Sequence, residues 1–84
     1  MELPNTDVLH YRWEKHLPNT HPRYYEVYFQ KDLLGSWVLT RTFGRCGSAR
    51  GQTRHFAFDN YSDGISALER LSTKRRKRRY ELCI

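Results

Sequence analysis

The sequence predicts a small α+β domain: a small antiparallel β-sheet with one helix packed on one face. Three observations carry that expectation. Residues 24–30 and 37–43 are aromatic and β-branched runs joined by a short connection that contains Gly35, the pattern of an antiparallel hairpin. Residues 53–59 alternate again and supply a third strand. Ile65, Leu68 and Leu71 then recur at three-residue intervals with Ala67 beside them, one apolar stripe wide enough to cover a sheet. With 84 residues the chain makes one domain. A chain of this size buries only about 60–65% of its unfolded surface, which leaves little room for a deep substrate cleft beside a core. A self-contained cofactor enzyme is therefore not expected.

Residues 1–22 read as an N-terminal segment and residues 23–84 as the main body. Leu3-Pro4-Asn5-Thr6 recurs as Leu17-Pro18-Asn19-Thr20. Each Pro-Asn-Thr favours a turn, and two copies are too few for a repeat array, which needs about three. Between them, residues 9–14 alternate imperfectly and suggest an edge strand, to which Arg12 and Lys15 are suited. In the run 24–30, Tyr25, Val27 and Phe29 share one face, opposite Tyr24, Glu26, Tyr28 and Gln30. In the run 37–43, Trp37, Leu39 and Phe43 share a face. Residues 44–52 then carry Gly44, Gly47 and Gly51, a loop with unusual backbone. Phe56 and Phe58 share a face of the next strand. Asn60 is placed to cap the helix, with Asp63 three residues on as in a capping box. Gly64 weakens that helix slightly. Residues 74–79 are six consecutive cations, favourable at a helix C-terminus. Residues 80–84 alternate and return as a last strand.

Charge is the first functional clue. Fifteen basic residues face nine acidic ones, for a net charge of +6. Residues 1–40 hold four basic against five acidic residues, and residues 41–84 hold eleven against four. Eleven of the fifteen are Arg, whose planar fork suits phosphate. This asymmetry fits a polyanionic partner. Cys46 and Cys83 are expected as thiols in a reducing compartment, because the N-terminus has no secretion signal. The expected location is cytoplasmic, nucleoid-associated in a bacterium or nuclear in a eukaryote. His10, His16, His21 and His55 have no paired spacing with the cysteines, so no metal site and no cofactor are expected. Cys46 lies among arginines and His55 is a candidate base, but a nucleophile also needs an oxyanion donor set, so catalysis is not expected.

At residues 43–52 the pattern resembles the WGR domain, a family named for a Trp-Gly-Arg signature at a strand end. Arg23-Tyr24-Tyr25 opens the first family strand, and Asp32-Leu33-Leu34-Gly35-Ser36-Trp37 makes the turn. Phe43-Gly44-Arg45-Cys46-Gly47-Ser48 is the signature and Gly51-Gln52 follows. Ala67 lies in the helix, Lys74 opens the basic run and Arg79-Tyr80 closes it. The match spans about residues 23–80. Two positions depart from the family: the signature Trp is Phe43, and the closing Gly is Arg79. The resemblance implies the fold read above and a non-catalytic DNA-binding role. In the poly(ADP-ribose) polymerases this domain helps grip a DNA strand end, with the signature Trp against the terminus and the signature Arg on backbone or a neighbouring domain. Related domains occur in bacterial regulators and as short single-domain proteins.

The nucleic-acid-binding residues expected on this basis are Arg41, Phe43, Gly44, Arg45, Gly47, Arg50, Gln52, Arg54, Lys74 and Arg75. The glycines let backbone approach a phosphodiester and present amide N–H groups. The arginines supply charge-assisted contacts, and Phe43 stacks on a sugar or base. Each has a plainer reading beside it: Phe43 as a cap on the core, the glycines as turn formers, Arg45 paired with an acid such as Glu81, and the six cations as a solvated helix end. The expected partner is DNA, with RNA as an alternative. A protein partner docked on Tyr24, Tyr28 and Trp13 is the competing function. A monomer is expected, and no membrane.

Overall fold

The computed structural model describes residues 8–83. The first Pro-Asn-Thr turn, at residues 3–6, and Ile84 lie outside the described residues. Five strands and one helix follow in order: β1 Leu9–Lys15, β2 Arg23–Lys31, β3 Trp37–Arg45, β4 Gln52–Phe58, α1 Tyr61–Lys77 and β5 Glu81–Leu82. They form one antiparallel sheet in the order β4-β3-β2-β1-β5, with α1 on one face. The α+β class predicted from the sequence is the class observed.

Period-two alternation decides which side chains meet the helix. Trp13, Tyr25, Val27, Phe29 and Leu39 point inward and close on Leu68 of α1. Ile65 and Leu71 flank Leu68, as the three-residue spacing required. Asn60 caps the helix by accepting a hydrogen bond from the Asp63 amide at 2.9 Å. Gly64 does more than weaken the helix. A Cβ at this position would overlap the ring of Phe29, so the glycine is what lets α1 lie close on β2.

The β2–β3 hairpin turns through residues 32–36. The Asp32 carboxylate accepts from the amides of Leu34 and Ser36, each at 2.9 Å, and Gly35 takes φ 92°. Leu33 and Leu34 are fully exposed at its tip. The second Pro-Asn-Thr turn is present, with Asn19 at φ 65°.

The expectation of an edge strand at residues 9–14 is corrected at Trp13 and Glu14. β5 pairs outside β1, with Leu82 opposite Trp13 and Glu81 opposite Glu14. β5 covers only this end of β1, and Leu9–Tyr11 have no strand outside them among the described residues. The same pairing explains Trp13, which is only 4% exposed and belongs to the core. It is not available as a docking aromatic, unlike Tyr28, which is exposed.

The helix ends in a Schellman motif. The Tyr80 amide donates to Arg75 O at 3.0 Å and the Arg79 amide to Arg76 O at 3.1 Å. This requires the left-handed region at Arg79, which sits at φ 70°. The departure from the family's Gly at that position is thus a departure in side chain and not in backbone. The contact that usually links the two ends of the motif is here the Tyr80 ring against the Arg75 guanidinium, 5.0 Å from ring centre to Cζ.

The face away from α1 holds an acid–base network. His10 bonds Glu26, Arg12 bonds Glu14 at 2.9 Å and Glu26 at 3.3 Å, and His16 bonds Glu14 at 2.8 Å. The hydrogen bonds from His16 and then Arg12 hold the Glu14 carboxyl below its ordinary range. The bond to Glu14 raises Arg12 further.

Candidate nucleic-acid interface

Three cations stand in one row at the end of the helix-covered face. Lys15 closes β1, Arg23 opens β2 and Arg45 closes β3. The register sets Lys15 opposite Arg23 and Arg23 opposite Arg45. Further along the same face, Arg41 lies opposite Arg54 of β4. Like charges directly opposite destabilise a sheet, and carboxylates normally relieve them. Among the described residues, no ion pair involves any of these five. The ion pairs found there join Glu14 and Glu26 to His10, Arg12 and His16 on the other side of the sheet. Arg45 is exposed and does not pair with Glu81, which faces Glu14 instead.

Two of the hollows at this end border Phe43 and Gly44. One, of about 490 Å³, gathers Lys15, Arg23, Arg41, Arg75 and Arg78 around the rings of Phe43 and Tyr80. The other, of about 400 Å³, is lined by Arg23, Phe43, Gly44, Arg45, Arg50 and Gln52. Arg23, Phe43 and Gly44 wall both. The β3–β4 loop that borders the second hollow is tied down locally. Cys46 N donates to Pro22 O at 2.8 Å, and Arg50 N to Ser48 Oγ at 3.1 Å.

Seven of the ten residues expected from the sequence line one or both of these hollows. Arg41, Phe43, Gly44 and Arg75 line the first hollow, and Arg45, Arg50 and Gln52 line the second with Phe43 and Gly44. Arg54 reaches the Gln52 side chain at 3.4 Å. Gly47 forms the tip of the loop at φ 81°, and Lys74 is exposed on the helix; neither lines a hollow. Phe43 packs on the core and also borders both hollows. It stacks on Tyr25, with centroids 5.4 Å apart and planes at 13°, and its remaining surface lines both hollows. Gly44 and Gly51 have a packing reason of their own. A Cβ on Gly44 would lie 3.2 Å from Gly51 Cα, and one on Gly51 would overlap Tyr24 Oη.

Lys15, Arg23 and Arg78 were not among the residues expected, although each lines the first hollow. Arg75 was expected as part of a solvated run, but it is 8% exposed. Its guanidinium lies 4.1 Å from the Tyr25 ring centre. The spacing contained a signal, because Arg75 continues the stripe of Leu68 and Leu71 at helical intervals.

Cys46 and Cys83 are free thiols. No helix of the described residues is long and apolar enough to cross a membrane. Neither the curated proteins nor the solved structures searched gave a match. The sequence matches the family of the WGR domain over residues 11–82, from within β1 to the end of β5. With the strand-end Phe-Gly-Arg, the Gly-Gln of β4 and the single covering helix all in their places, the chain belongs to the WGR domain family.

Proposed function

We propose that this protein is a non-catalytic nucleic-acid-binding module that grips DNA backbone or a strand end through the basic end of its sheet. The carrying observation is the row Lys15–Arg23–Arg45, three like charges in register on three neighbouring strands with no carboxylate against them among the described residues. A fold does not hold such a row for its own stability. A polyanion supplies the missing negative charge. Membership of a family often linked to nucleic acids points the same way.

The mode is backbone recognition. Guanidinium forks and loop amides position phosphates without reading sequence. Phe43 offers the exposed part of its ring to a terminal sugar or base. Arg50, Arg54 and Lys74 extend the field around the two hollows.

The test is a titration of the labelled protein with intact, nicked and blunt-ended duplexes and with single strands, followed by residue-resolved amide shifts. Shifts should cluster at Arg23 and at residues 41–54. If about five phosphates are neutralised, log K should fall with log[salt] with a slope near −4 to −5. Affinity that is undetectable for all four substrates, or independent of salt, refutes the proposal. Matched RNA and DNA strands in competition decide between the two polymers.

A further inference from the structure

The first hollow is built differently from the exposed corner beside it. Arg75 is more than nine-tenths buried, yet among the described residues its guanidinium meets no carboxylate and its Nε–H has no hydrogen-bond partner. Across the hollow, the Nε–H of Arg41 is buried and unpartnered as well, while its Nη1 donates to Tyr25 Oη at 2.7 Å. Burying a guanidinium with an unmade hydrogen bond is costly. The rings of Tyr25 and Tyr80 offset part of that cost through cation–π contact. They cannot accept the N–H groups in the guanidinium plane. Lys15, Arg23 and Arg78 complete the wall, so five cations converge on one volume of about 490 Å³.

That convergence does not match a nucleic-acid backbone alone. One strand carries a single charge per roughly 3.4 Å of axis, so a groove that tracks it spreads its cations along a line. A hollow of this size is of small-ligand dimensions. We propose that it is a binding site for a free oligophosphate, a short chain of linked phosphate groups, carried either as inorganic polyphosphate or as the tail of a nucleoside triphosphate. The inner phosphate group accepts from Arg75 and Arg41, and the outer ones meet Lys15, Arg23 and Arg78. A base on the chain would lie against the exposed parts of Phe43 or Tyr80. The site shares Lys15, Arg23, Arg41 and Phe43 with the polymer reading but does not require it.

The full chain is titrated by calorimetry and amide shifts with sodium tripolyphosphate, ATP, adenosine and orthophosphate near physiological salt. Tripolyphosphate should bind one to one, on the order of tenfold or more tighter than orthophosphate, because several charge-assisted contacts form together. ATP equal to tripolyphosphate assigns the site to the chain alone, and ATP tighter assigns a stacked base; either supports the proposal. Arg78→Gln and Arg23→Gln should each weaken tripolyphosphate by roughly tenfold. Arg70→Gln, on the exposed surface of α1 and outside the hollow, should leave it unchanged. Arg75→Lys, with its fold verified by the amide spectrum, should lose the tight phase. No saturable tripolyphosphate binding, affinity equal to orthophosphate, or equal losses from Arg70→Gln and Arg78→Gln would overturn the site. DNA binding without tripolyphosphate binding overturns this inference alone. Tripolyphosphate binding without DNA binding overturns the polymer reading alone.

Discussion

Arg79→Gly should stabilise the protein, although it removes a side chain. Arg79 occupies the left-handed region at φ 70°, because the hydrogen bonds from Arg79 N and Tyr80 N that close the helix demand it there. For a residue with a Cβ that conformation costs about 1–2 kcal/mol. Glycine is free of it, but makes the unfolded chain more mobile by about 0.4–1 kcal/mol. The difference is a gain of roughly 0.5–1 kcal/mol, or a rise in Tm of about 2–8 °C for a domain this small. Removing one of six adjacent cations also relieves repulsion, so Arg79→Ala is the control. It loses the charge and keeps the Cβ. Thermal and urea unfolding of the three proteins at equal salt should rank Arg79→Gly above Arg79→Ala, with wild type not above the latter. DNA affinity should fall equally in the two variants, because they lose the same charge. If Arg79→Gly is no more stable than Arg79→Ala, the strain argument is wrong.

The remaining predictions follow from packing, register and charge. Gly64→Ala should destabilise, against the usual helix gain of about 1 kcal/mol, because its Cβ would overlap the Phe29 ring; overpacking of this kind costs about 1–3 kcal/mol, so urea unfolding should show a net loss. Arg23→Thr should raise stability by a few tenths of a kcal/mol and weaken duplex DNA several-fold in a fluorescence titration, separating the cost of the cationic row from its use. Arg45→Ala combined with Arg50→Ala should weaken binding to all duplex sequences alike and flatten the salt slope by about two. Glu14 has a depressed folded pKa, so its contribution is fully present above its unfolded value and is lost as pH falls through the folded one. The urea midpoint of wild type should therefore drop more than that of Glu14→Gln between about pH 5 and about pH 3.

Much of the fold was legible because alternation and helical spacing act locally. Tyr25, Val27 and Phe29 had to face Leu68 once the period was two on one element and 3.6 on the other. The Asn60 cap could be named from its own side chain and that of Asp63. The loop arginines and Phe43 were also legible, since they sit within ten residues of one another. What the sequence concealed was non-local. Arg45 is distant in the chain from Lys15 and Arg23, and the three become one row only through strand register. Trp13 appeared to lie on an edge because the strand that covers it, Glu81–Leu82, is too short to announce itself. Arg75 was hidden by its companions: six cations in a row suggest water, and only continuation of the Leu68–Leu71 stripe marks one of them as buried.

The hairpin geometry has a further consequence for how bound molecules would stand. β2 and β3 run nine residues each, roughly 26 Å from the cationic row to the strand ends, with the Leu33–Leu34 tip beyond. Asp32, Asp59 and Asp63 lie toward that tip against Lys31, so the molecule is electrically polar along its length. Near a negatively charged rod it should swing into line before contact and dock pole-first. Neighbours on a crowded strand would then project like bristles with paired leucines at their ends. A more densely loaded filament would carry an oilier outer rim.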